Sequence, residues 1–226
     1  MQQTIIQAAA LIVPLVIAIV FHEVAHGMVA RLLGDPTAYE QRRLSLNPLR
    51  HVDPVGTVVL PGMLALAGAP VFGWAKPVPV NQRRLNNPRL GMMAVALAGP
   101  LSNLILAGIG AVMLGLMARS GAAGDILGFI ALNLRNFVLI NIFLALFNLL
   151  PIPPFDGSHI VEGLLPRGAA RAYARLRPYG FPLFFLLLLV VPYIWPDLHL
   201  VERILLPPVD WATDRYDALA RLIAGL

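Results

Sequence analysis

The stretch TIIQAAALIVPLVIAIVFHEVAHGMVARLL, residues 4–33, joins a long apolar run to three ionisable side chains, His22, Glu23 and His26. No charged residue occurs from Ile5 to Phe21. As one helix the stretch is about 45 Å long, more than enough to cross about 30 Å of hydrocarbon. Gly34-Asp35-Pro36 then gives a strong C-terminal stop. The run begins without a basic n-region and carries no small-residue cleavage signature, so it is expected to persist in the mature protein rather than to act as a cleaved signal.

The rest of the sequence has the same character. Of 226 residues, 58% are hydrophobic and 13% charged, with a mean hydropathy of +0.74, well outside the range of soluble globular domains. Residues 91–118, 126–150 and 179–196 read as further spans. Residues 55–73 are apolar but broken by Gly56, Pro61, Gly62, Gly68, Pro70 and Gly73. The fold class expected is an all-α polytopic membrane protein with four to six transmembrane helices, and a re-entrant or short β segment between the first two core spans. One domain covers 1–226, with a core at about 4–165 and a C-terminal span and tail at 179–226.

Seventeen Lys and Arg outnumber twelve Asp and Glu, but they fall in short clusters between apolar segments. That pattern faces anionic lipid and sets topology; it does not form a nucleic-acid surface. Loops 31–53, 74–90 and 151–178 each carry four basic residues, and basic loops share the cytoplasmic side. The three fall on one side if 55–73 dips into the membrane and returns, leaving the N-terminus and 119–125 opposite. Residues 208–226 place Ala212, Tyr216, Leu219 and Ile223 on one helical face, as an interfacial amphipathic helix would. Tyr193, Trp195 and Trp211 are candidate interface anchors.

The chemistry lies in Phe21-His22-Glu23-Val24-Ala25-His26-Gly27. Spacing of i,i+4 puts both imidazoles on one helix face, where they can bind one Zn²⁺, and Glu23 lies beside them as a general base. An unpaired cluster of this kind is costly inside an apolar span, so function is the default reading; satisfaction by neighbouring helices is the plainer one. Cysteine is absent, so any metal is held by His and carboxylate. A catalytic zinc site needs a third protein ligand, and Asp156 is the candidate. It follows Pro151, Pro153 and Pro154, which forbid continuous helix just beyond a span. An ordinary turn or helix cap at Asp156 is the structural alternative.

These motifs resemble the site-2 protease family of intramembrane zinc metalloproteases, especially its compact bacterial type without PDZ or CBS domains. The resemblance covers most of residues 10–165. It rests on His22 to His26, Leu46 to Pro54, Gly73 to Asn81, Ala98-Gly99-Pro100-Leu101-Ser102-Asn103 and Asn148 to Gly157, in that order. It implies that His22, His26 and Asp156 hold one Zn²⁺ per chain, that Glu23 is the catalytic glutamate, and that Asn103 faces the site to bind substrate backbone or the oxyanion. Phe155 stands where the family usually has Leu. Helix pairing alone would also account for Asn103. His51, Asp53 and His159 are secondary candidates; the residues themselves read as an interface loop, a cap before Pro54 and a cavity-facing first-turn histidine.

The implied activity is hydrolysis of peptide bonds in or near transmembrane segments of membrane-protein substrates, that is, regulated intramembrane proteolysis. The implied place is the bacterial plasma (inner) membrane, with the lipid bilayer and a transmembrane substrate as partners and the site near the cytoplasmic face. Gly73 to Asn81 could clamp an unwound substrate as an edge strand, or be an irregular loop. Two other readings are a divalent-metal transporter, which would need ligands repeated on several spans, and a client-binding pseudoprotease, against which the retention of Glu23 argues.

Overall fold

The computed structural model describes residues 2–66, 73–121 and 124–226. Among these residues ten α-helices occur in chain order: α1 (Gln2–Leu32), α2 (Thr37–Glu40), α3 (Leu60–Leu66), α4 (Pro88–Arg119), α5 (Asp125–Asn148), α6 (Asp156–Leu164), α7 (Arg167–Ala174), α8 (Gly180–Phe185), α9 (Val191–Ile194) and α10 (Leu200–Ala224). No strand is present among the described residues.

Among the described residues, three stretches are long and apolar enough to cross a membrane: Ala10–Leu32 of α1, α4 and α5. They pack on one another through small residues and sparse polar contacts, as helices in lipid must when apolar surface alone gives no drive to associate. Asn136 of α5 donates to the Ala10 carbonyl of α1 at 2.8 Å. Ala107 and Ala111 of α4 meet Val138 and Ile142 of α5 in the largest buried cluster.

The region read as a span at 179–196 holds a helical run of α8, a π turn at Leu186–Val190, and α9. Pro192 has no amide proton to return to the preceding turn, and the helix widens there. At about 22 Å the run is shorter than the hydrocarbon thickness.

The C-terminal segment departs from the interfacial helix read in the sequence. Val209 and Ala212 of α10 join the α4–α5 cluster, and the Tyr216 hydroxyl donates to the Leu104 carbonyl at 2.9 Å. The apolar face found by periodicity is real, but it is covered by protein. Trp195 and Trp211 are exposed, as anchors would be; the Tyr193 side chain lies outside the described residues.

Residues 54–66 enter as a π turn at Pro54–Val59 followed by α3. Asp53 begins this element by accepting from the amides of Val55 at 3.0 Å and Gly56 at 2.7 Å. By residue 74 the chain is back where it started: the Trp74 amide donates to the Gly56 carbonyl at 3.1 Å, and the Thr57 hydroxyl donates to the Trp74 carbonyl at 2.9 Å. The two ends of the apolar segment therefore lie side by side.

Candidate metal centre

Three elements distant in sequence supply the centre. His22 and His26 lie one turn apart on α1, with ring centroids 4.6 Å apart and planes nearly perpendicular. Asp156 opens α6, where Pro151 to Pro154 have broken the chain after α5. Its Oδ2 is 3.2 Å from His22 Nε2 and 3.3 Å from His26 Nε2. α4 closes the site from the third side. A Cβ on Gly99 would lie 2.5 Å from the His26 ring and 2.6 Å from the His22 ring, so only glycine lets α4 pass this close.

The hydrogen bonds fix what these atoms can do. His26 Nδ1 is 2.7 Å from the Val95 carbonyl, and His22 Nδ1 is 2.6 Å from Asn103 Oδ1. Both partners only accept, so each Nδ1 carries a proton and Nε2 is the nitrogen of each neutral ring that can offer a lone pair to a metal. Two lone pairs and a carboxylate oxygen thus converge within 4.8 Å of one another. Asp156 Oδ2 is buried and lacks a hydrogen-bond partner. An orphaned buried oxygen beside two imidazole lone pairs costs about 1–3 kcal/mol unless something positive joins them. Two imidazole nitrogens and a carboxylate oxygen are a donor set that suits Zn²⁺. It is the one group of this kind among the described residues, where a transport path would need a series.

Glu23 follows His22 directly on α1 and so sits beside the pair. Its Oε2 accepts from the Val78 amide at 2.7 Å, leaving Oε1 uncommitted. Val78 belongs to the extended segment 73–81, which lies along α1 without pairing as a strand. The segment is seated because Gly27 has no Cβ: one there would fall 2.8 Å from Val78 Cγ1 and 2.4 Å from Leu44 Cδ2.

The other sequence candidates separate by position. Asn103 is fully buried, and its amide is occupied within the protein. Oδ1 takes His22, while Nδ2 donates to the Ala18 carbonyl at 3.1 Å and to Asn141 Oδ1 at 2.8 Å. In this arrangement it holds a histidine rather than facing a substrate. His51 is buried away from the centre, with Nε2 2.7 Å from the Ser45 carbonyl, and Asp53 is the cap described above. His159 follows Asp156 by one turn of α6 and accepts from Arg177 at 3.2 Å; burial, and then the Arg177 charge, lower its pKa. Asn141 and Val78 were not singled out by the sequence. An Asn within the apolar 126–150 run was the available signal for the first; the second lies in the Gly73 to Asn81 stretch, which reads as a candidate clamp without any one residue assigned to the site.

Comparison with known proteins agrees with this geometry. The profile of peptidase family M50 matches residues 126–191, the part that holds Asp156. The Bacillus subtilis protein YwhC is 43% identical over 197 residues, covering 84% of this chain and 85% of that one. Rip2 of Mycolicibacterium smegmatis is 30% identical over 172 residues, covering 76% of this chain and 62% of that protein. A Methanocaldococcus jannaschii protein is 32% identical over 143 residues, covering 63% and 64%. All three are named "putative zinc metalloprotease". No solved structure matches the chain. With HExxH and a distant carboxylate on one buried centre among apolar helices, and a relative aligned over most of both chains, the protein belongs to peptidase family M50, the site-2 protease family of zinc metalloproteases.

Proposed function

We propose that the chain is an intramembrane protease that hydrolyses peptide bonds in or near transmembrane segments of other membrane proteins. The observation that carries this is the convergence of His22 Nε2, His26 Nε2 and the orphaned Asp156 Oδ2, with Glu23 alongside, on a helix apolar enough to span. His22, His26 and Asp156 would hold one Zn²⁺ per chain. When bound, zinc supplies Lewis acidity, which polarises the scissile carbonyl and lets water attack near neutral pH.

The protein's own groups do the rest. Glu23 takes the proton of the attacking water at Oε1, the oxygen left free by the Val78 amide, and passes it to the departing amine. Both imidazoles stay in one tautomer through their Nδ1 bonds, so neither competes for that proton. The centre lies about 9–15 Å inside the end of α1, the depth of residues 22–26 relative to Leu32. A substrate helix reaching that depth must unwind, because its backbone bonds shield the peptide from attack.

The return of residue 74 to Gly56 supports a re-entrant segment, which puts all three basic loops on the cytoplasmic face of the bacterial plasma membrane. The site then opens near that face.

The test is metal content and cleavage of a panel of transmembrane peptides by the purified protein and Glu23→Gln. Stoichiometric zinc in both, with cleavage by the native form alone and a loss of about 10³-fold or more in the variant, is the expected result. Equal cleavage by Glu23→Gln would overturn the assignment of the base. Zinc without cleavage of any peptide would favour a client-binding protein.

A further inference from the structure

We infer that Asn141 is a positioning residue for the metal centre, acting through Asn103 to keep His22 in the tautomer that ligates. This rests on the reading of His22 as a ligand, and it goes beyond that reading by assigning a residue on α5 that touches neither metal nor substrate.

The case is a chain of hydrogen bonds with one direction. At its far end, Asn141 Nδ2 donates to the Phe137 carbonyl one turn back on α5, at 2.8 Å. A carbonyl cannot donate, so this bond settles which end of the Asn141 amide is nitrogen and turns Oδ1 towards α4. Asn103 Nδ2 fills that acceptor at 2.8 Å and the Ala18 carbonyl at 3.1 Å. Its own Oδ1 is thereby aimed at His22 Nδ1, 2.6 Å away. An oxygen there requires a proton on Nδ1 and leaves the lone pair on Nε2, facing Asp156.

The relay excludes the alternative. If the Asn103 amide turned over, its oxygen would face two acceptors, Ala18 O and Asn141 Oδ1, while its nitrogen would force His22 to accept at Nδ1. The proton would then sit on Nε2, where a ligand's lone pair is needed. The Ala18 carbonyl alone opposes that flip with one bond; Asn141 supplies the second. Both asparagines are fully buried, so no water can substitute for the missing acceptor.

Two buried asparagines between spans also act as ordinary helix glue, and the measurement must separate the roles. Zinc affinity is measured by competition with a chromophoric chelator, on full-length protein in detergent, for the native chain, Asn141→Leu, Asn141→Asp, Asn103→Ala and the Asn103→Ala/Asn141→Leu double variant. Thermal unfolding of the metal-free forms is measured alongside.

Asn141→Leu is expected to weaken zinc binding about 10- to 100-fold, the usual range for a partner behind a ligating histidine. Asn141→Asp keeps the acceptor for Asn103 and is expected to recover most of it. The Asn141 effect should vanish in the Asn103→Ala background. Native affinity in Asn141→Leu overturns the relay, as does an undiminished Asn141 effect without Asn103. If Asn141→Leu fails to fold, the comparison of Asn141→Asp with native still decides, because a folded Asn141→Asp that has lost zinc contradicts an acceptor role. A native chain that binds no zinc would instead defeat the reading of the site itself.

Discussion

At the scale of single residues, the tightest polar node outside the metal centre is Asp35, which the sequence marks only as part of a helix stop. Its carboxylate is fully buried. It accepts from the Thr37 amide at 3.1 Å, from the Thr37 hydroxyl, and from the Asn81 amide at 2.5 Å, with Arg84 Nε 3.9 Å away. One side chain thereby ties the end of α1 to the end of segment 73–81. Burial raises the Asp35 pKa, but the donors of Thr37 and Asn81 outweigh it and the net shift is downward. A carboxyl depressed on folding stabilises fully above its unfolded value of about 4, and that contribution is lost only as pH falls below it through the folded value. Asp35→Asn replaces an acceptor with an N–H aimed at donors. It is expected to lower stability by about 1–3 kcal/mol at pH 7, with the gap to native narrowing below about pH 4. Thermal unfolding in detergent across pH checks this, and a gap constant from pH 7 to pH 3 would contradict it.

The element that most repays attention is the extended segment 73–81. Its Pro77 and Pro79 keep it out of helix, as expected from the sequence, but its register follows from contacts no local pattern contains. The Lys76 amide donates to the His51 carbonyl at 2.8 Å, Arg43 donates to the Lys76 carbonyl at 2.9 Å, and the Val78 amide reaches Glu23. Val78→Pro removes that amide while conserving an apolar side chain between two prolines. Zinc content is expected to stay native and kcat to fall about tenfold or more, because Glu23 loses the donor that fixes its carboxylate. A variant with native kcat would show that Glu23 orients itself. The same contrast governs what was legible. HExxH could be read because two ligands on one helix face demand i,i+4 spacing, Asp156 was a candidate through the proline break before it and the family resemblance, and α1, α4 and α5 could be read because lipid demands apolar length. Asn141, Val78 and the packed face of α10 depend on which helices become neighbours. Tyr216 illustrates this: its face is visible by periodicity, but its partner, the Leu104 carbonyl, lies on a different helix.

For the whole molecule, the open step is topology, and the chain suits a direct measurement because it contains no cysteine. The proposed re-entrant reading, with three candidate spans among the described residues and a segment whose return point lies beside its entry, implies an order of sides. On that reading α1 carries the chain to the basic loop 31–53, the apolar segment comes back to the same loop, where the Lys76 amide meets the His51 carbonyl, α4 crosses, and α5 returns to Asp156. Arg42, Arg83 and Arg167, exposed in the three basic loops, should then face one side, and Ser120, exposed at the end of α4, the other. Single cysteines at these positions, treated with a membrane-impermeant maleimide in intact cells and in inverted vesicles, are expected to react as a group of three against one. The three should react in inverted vesicles, because twelve basic residues on the outer face would oppose the charge rule for orientation. Had residues 55–73 crossed, position 42 would label from the opposite side to positions 83 and 167. That outcome would place HExxH and Asp156 near opposite faces of the membrane, contradicting the 3.2 Å and 3.3 Å separations on which the metal centre depends.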